Sequence, residues 1–307
     1  MKKRIQNRLA ESRFAFPVMI IYGIAVWLGA GAVAEGAYLQ LAFFVASTLM
    51  MMMLNNTNSL IRIYSRMVSC SFVAITCAAT FLFSSLESCA TGTCFILFYL
   101  SLLRSYQDKR APGIAFYSFA CLGIASLFFV QILYFVPFLW ILMASNMMAL
   151  THRMFWATVL GLVMPYWFAV GYYVVTDQFD AFTDHFTELA QFEPLLQYEA
   201  LDIHRIATFA LVALLAVIGI IHYMRNSYLD KIRTRMIFEM FITVDILSFV
   251  LIILQPQHFD NLLPIIIVNT SCLFAHYVAL TKAWLTNVTF IVMCLATLGI
   301  TIFNLMP

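Results

Sequence analysis

The sequence predicts an all-α, polytopic transmembrane helix bundle of about eleven spans, and three observations predict it. Apolar residues make up 63% of the 307 positions and charged residues 10%, against roughly 45–50% and 25% in soluble domains. The apolar residues form continuous runs that suit membrane helices, without the alternation of an outer-membrane barrel. The basic residues fall almost entirely on one side of the threading that those runs impose. A mean hydropathy of +0.91 with 29 Phe and 17 Met cannot be hidden inside one water-soluble core. That excludes a soluble enzyme, a disordered chain and a disulfide-stapled secreted domain.

The runs are, in order, Phe14–Ala34, Ala37–Leu54, Met67–Ser85, Thr93–Leu103, Ile114–Phe128, Ile132–Leu150, Phe155–Val175, Ile206–Tyr223, Met236–Leu254, Leu262–Leu280 and Leu285–Leu305. The first combines a basic start, an apolar stretch and Ala32-Val33-Ala34, and so resembles a cleavable secretory signal. Its apolar stretch exceeds the usual 7–15 residues, which favours a retained anchor. The fourth is short and should extend outward past Cys94. The fifth and sixth have no polar loop between them. As one helix, Ala111–Leu150 would be about 60 Å long, twice the hydrocarbon thickness, so the chain should turn back around Ser126–Gln131.

Lys and Arg collect on the cytoplasmic side of membrane proteins. With the N-terminus inside, every basic residue from Lys2 to Lys282 except Arg205 falls on an inner segment. Glu35, Glu87, Asp177, Asp180, Asp184, Glu188, Glu193, Glu199, Asp202 and Asp260 fall outside. The expected topology is N-in, C-out in a bacterial inner membrane, with residues 1–307 forming a single membrane domain.

Most connections are short. The exception is the outer (periplasmic) loop 176–205. Within it Phe179, Phe182, Phe186 and Leu189 recur at helical spacing, with Asp180, Asp184 and Glu188 on the other side. That pattern predicts an amphipathic helix near 178–191, ended or bent by Pro194. Its polar face is acidic, so attraction to anionic lipid does not hold it. It should lie across the outer mouth, Phe side down, or serve as a solvated connector.

Asp245 is the sharpest intramembrane feature, near the middle of the ninth run. An acid there costs at least about 2.5 kcal/mol on insertion scales, so it should face the bundle, protonated or partnered. The tenth run brings Asn269, Thr270 and Ser271 to a similar depth. Asp245 is then either a proton or substrate site or interhelical glue. Glu239 follows Arg235 by four residues, a spacing that sets the two side by side, and His276 comes to a similar depth. His204-Arg205 stand where the long outer loop enters the eighth run. They either grip a phosphate or pyrophosphate head group or Arg205 pairs with Asp202 or Glu199. His185 on the amphipathic helix is a further candidate for head-group binding or a surface residue. Cys89 and Cys94 flank Ala-Thr-Gly-Thr in the outer hairpin, where an oxidising periplasm would permit a disulfide if Gly92 lets the hairpin close. Walker, dinucleotide, nucleophile-elbow and zinc-protease signatures are absent, as is metal spacing among His and Cys. No metal, cofactor or nucleic acid is expected.

Asn55-Asn56-Thr57-Asn58-Ser59-Leu60-Ile61-Arg62-Ile63-Tyr64-Ser65-Arg66, Leu102-Leu103-Arg104-Ser105-Tyr106, Gly123-Ile124-Ala125-Ser126-Leu127-Phe128-Phe129 and Leu160-Gly161-Leu162-Val163-Met164-Pro165-Tyr166 together resemble a family of uncharacterised multi-pass inner-membrane proteins of Bacteroidota. That family brings no established activity. The span number and the extended outer loop are also similar in layout to O-antigen and exopolysaccharide polymerases. That resemblance implies outer Arg and His residues acting on lipid-pyrophosphate glycans, for which Arg205, His204 and His185 are available. Here Phe128-Phe129 stand where such proteins often carry a His. Three functions stay open: handling of an envelope lipid or lipid-linked glycan at the outer leaflet, a non-enzymatic subunit or scaffold of an envelope complex, and a proton-coupled small-solute transporter. The expected partners are the lipid bilayer, with a lipid-linked glycan or another membrane subunit.

Overall fold

The computed structural model describes residues 4–177, 179–190 and 201–306. The helices are α1 (Ile5–Ala10), α2 (Ala15–Gly29), α3 (Tyr38–Asn58), α4 (Met67–Ala78), α5 (Leu86–Leu102), α6 (Pro112–Phe128) and α7 (Val136–Ser145). There follow α8 (His152–Val175), α9 (Phe179–Ala190), α10 (Ile203–Asn226), α11 (Ile232–Leu254), α12 (Phe259–Leu280) and α13 (Trp284–Leu305). No strand occurs among the described residues. Pro194 and Glu199 lie outside them, as does the side chain of Phe179.

Each predicted run contains an apolar helix, but the lengths differ. Among the described residues, seven helices are long and apolar enough to cross a membrane: α3, α5, α8, α10, α11, α12 and α13. α2, α4, α6 and the 130–145 segment are apolar but shorter, each with a local cause. α2 stops at Gly29, and Gly31 and Gly36 then take positive φ of 71° and 84°, a turn that replaces the predicted continuation to Ala34. α4 tightens into a 3-10 turn at Thr80–Ser84. α6 begins at Pro112, where the missing N–H costs nothing, and ends against Phe129, whose backbone is extended at φ −145° and ψ 93°. That residue breaks the forty-residue run inside the expected 126–131 interval, and a 3-10 turn at Val130–Phe135 leads into α7.

The predicted outer hairpin at 89–94 is corrected. Ser85 caps α5 by accepting from the Ser88 N–H at 3.2 Å, and Glu87 complements the first turn. The helix therefore starts before the first cysteine. Cys89 and Cys94 are five residues apart on it, roughly 140° around the axis, and both thiols are free, so there is no disulfide. Gly92 shapes no turn. A Cβ there would come within 2.9 Å of Pro264 Cβ, so it lets α5 lie close against α12.

α12 is the centre of the bundle, buried along almost its whole length and packed against α4, α5, α10 and α11. A helix surrounded on all sides can carry polar residues only if they are bonded. α6 and α8 form a second close pair. A Cβ on Gly123 would meet the Leu162 carbonyl at 2.5 Å, and one on Gly161 the Phe116 carbonyl at 2.2 Å. Small residues here let two backbones approach, as in membrane helix packing generally.

Long-range bonds sort the chain into two ends. At one, Gln6 of α1 donates to the Val278 carbonyl at 2.7 Å, Arg233 donates to Asn58 and to the Leu103 carbonyl, and the Gln107 N–H donates to Met147. At the other, Gln40 donates to the Ser84 carbonyl, Ser88 donates to Asn261, and the Phe129 ring lies 5.4 Å from His258. We call these the basic end and the acidic end, after the charges that gather at each.

Candidate functional site

The acidic end holds an open pocket of about 340 Å³ where α2, the 80–84 turn, α10 and α13 meet. The glycine turn after α2 carries Ala32 and Glu35 to its edge. Asp202 caps α10, its carboxylate accepting from the Ile203 N–H at 2.7 Å, so His204 is set in the first turn. Asn304, near the end of α13, holds that histidine. Its Nδ2 donates to the Ala78 carbonyl at 2.6 Å and to Thr208 Oγ1 at 2.8 Å, which leaves Oδ1 pure acceptor for His204 Nδ1 at 2.9 Å. In the neutral imidazole, Nδ1 therefore carries the proton and Nε2 the lone pair. The ring stacks on Phe303 with centroids 4.4 Å apart. Thr80, Ser84 and the aromatic Phe81 complete the wall. The pocket thus offers two carboxylates, an oriented imidazole, hydroxyls and an aromatic side chain.

Arg205 is engaged within the fold, by an acid that neither alternative read from the sequence names. Its Nε and Nη2 donate to the two oxygens of Asp260, each at 2.9 Å. The guanidinium also lies 5.4 Å from the centre of the Phe81 ring. The bonded partner is not Asp202, and Glu199 lies outside the described residues; Asp260 at the start of α12 supplies the matching fork.

His185 is corrected in place too. Its Nε2 donates to the Ser126 carbonyl at 2.9 Å, at the α6 terminus. Phe182 and Phe186 of α9 lie beside Tyr166 of α8, and Tyr134 donates to the Leu189 carbonyl. The amphipathic helix is therefore present with its aromatic side down, on α8 and the 130–135 turn. No described residue of it lines the His204 pocket.

Asp245 faces the bundle, fully buried, and Thr270 donates to its carboxyl at 3.2 Å. Beside it Tyr99 donates to Asn269 Oδ1 at 2.8 Å, and Asn269 Nδ2 donates to the Ile265 carbonyl at 2.9 Å. These bonds lock α5, α11 and α12 together, and none of the cavities described here reaches them. Glu239 accepts from Asn146 Nδ2 at 2.9 Å, so its bond goes to the end of α7 and not to Arg235.

A buried charge cluster at the basic end escaped the sequence reading. Asp230, with its side chain 0% exposed, takes Arg62 Nε at 2.9 Å and His276 Nε2 at 3.0 Å. Since a carboxylate accepts, His276 donates through Nε2, and its Nδ1 has no hydrogen-bond partner among the described residues. His222 Nδ1 accepts from Asn226 Nδ2 at 3.1 Å, which puts its proton on Nε2. The two rings are 5.5 Å apart. The only hint in sequence was an acid inside a basic inner segment; the pairing across 168 and 46 positions was invisible there.

No family model matches the chain, and no curated protein or solved structure matches it either.

Proposed function

We propose that this is an eleven-span protein of a bacterial inner membrane, N-in and C-out, that recognises the sugar part of an envelope glycolipid at its outer face. The carrying observation is the His204 pocket. Carboxylates, an imidazole lone pair and side-chain hydroxyls accept hydrogen bonds from sugar hydroxyls, and an aromatic ring packs against the apolar face of a pyranose. A volume of about 340 Å³ falls at the low end of the roughly 300–1,000 Å³ usual for ligand pockets. Two carboxylates and a closed Arg205–Asp260 pair disfavour a phosphate or pyrophosphate inside it. The threading is supported by the two ends: bonds join the ends of α3 and α5 to the start of α11, and the starts of α5 and α10 to the start of α12. Alternate crossings demand that pattern.

Two experiments test this. Reporter fusions after Arg110 and after Arg233 should be cytoplasmic and one after Asp184 periplasmic; a cytoplasmic Asp184 fusion overturns the threading. A photo-crosslinking residue at Ser84, activated in living cells, should capture a sugar-bearing lipid. Capture of a membrane protein instead would favour the subunit or scaffold reading, and capture of phospholipid alone would remove the glycan.

A further inference from the structure

A second cavity, of about 410 Å³, opens at the basic end between α2, α4 and α13. It is not a shallow surface dent. Leu9 and exposed Phe14 mark its mouth, and its floor is made by Leu215, Phe274 and Val278, all buried on α10 and the central α12. The crevice therefore passes between α4 and α13 to the middle of the bundle. Along α13 it runs from Phe290 to Leu298, about 12 Å at 1.5 Å per residue. It shares no lining residue with the His204 pocket, so the two are distinct sites.

The lining decides what fits. Apart from Ser12, Tyr22, Ser71 and Thr297 it consists of apolar side chains and two cysteines, so it suits a hydrocarbon chain. The mouth supplies the sign of the head group. Arg13 stands between Ser12 and Phe14, and Arg8 directly precedes Leu9, so both basic residues flank positions that line the crevice. Both are exposed.

We infer that this crevice binds one acyl chain of an anionic phospholipid from the leaflet at the basic end, with Arg8 and Arg13 at the phosphate head group. The chain in the crevice would touch α4, α10, α12 and α13 together, and so would fill the space between helices that already meet elsewhere along their lengths.

The test uses the full-length protein, purified in mild detergent and incubated with phosphatidylglycerol or phosphatidylethanolamine, with retained lipid read by native mass spectrometry. Wild type should retain phosphatidylglycerol at least about tenfold better, the scale expected for two basic residues at a membrane surface. Arg8→Ala/Arg13→Ala should erase that preference and still hold a chain. Ala74→Phe, which fills the crevice from α4, should lose both lipids. Leu298→Trp blocks the same space from α13 and decides the matter should Ala74→Phe fail to elute as a single species. Unchanged retention in the blocked variant, or equal retention of the two lipids by wild type, overturns the proposal.

Discussion

Asp230 and Asp260 each bind an arginine, at opposite ends of the bundle, and the surroundings make them different interactions. Asp260 meets Arg205 with side chains 37% and 31% exposed. Asp230 meets Arg62 with its own side chain 0% exposed, and a wholly buried His276 fills its other oxygen. Water screens the first pair and keeps each partner solvated when the other is lost. The second has no such fallback, because a buried charge that loses its partner is stranded. The same pair of residue types is thus a fastening at one end and a keystone at the other.

The comparison breaks most directly at Asp230. Asp230→Ala should destabilise the protein by about 3–5 kcal/mol, the usual cost of stranding buried partners, read as loss of folded protein in thermal unfolding. A stable variant would mean the cluster is wet. Next comes Asn304→Ala at the acidic end, expected to cost about 1–3 kcal/mol because three bonded groups lose their partner. It should also release His204, so the Ser84 photo-crosslink should fall even where membrane levels hold. Midway between the ends, Asp245→Asn should fold normally, since the amide keeps hydrogen bonding in a similar shape. Asp245→Leu should cost about 0.6 kcal/mol, the average for hydrogen bonds between membrane helices; unfolding of Asp245→Leu would promote this residue to the rank of Asp230. The smallest effect belongs to Arg205→Ala, about 0–1 kcal/mol after solvent screening. A loss as large as that of Asp230→Ala would erase the distinction between the ends.

What was legible in the sequence follows from what periodicity and charge encode. The apolar runs gave the helices, and the forty-residue run gave a break where Phe129 is extended. The acidic amphipathic helix and the inward Asp245 with Thr270 were also readable, because both are local patterns or depths along a run. Three things were not. Helix starts set by a single cap, as at Ser85, moved Cys89 and Cys94 onto one helix. Arg205 chose Asp260 over nearer acids because α10 and α12 begin side by side, a tertiary fact. Asp230 drew Arg62 and His276 from distant segments for the same reason. His204 stood out in the sequence, but the asparagine bonded to it lies one hundred positions away.

The place of α12 in the chain has a consequence for how the protein is made. α4, α5, α10 and α11 all pack on it, yet among the described helices only α13 is synthesised later. Of the four, α5, α10 and α11 are long and apolar enough to cross a membrane, and a helix satisfies its own backbone groups there. What those helices lack until α12 emerges is the common partner that all four pack on. Nascent chains that stop before Phe259 should therefore be fully inserted but loosely assembled, and open to membrane proteases. Resistance should arrive in one step, when α12 joins the helices already in place.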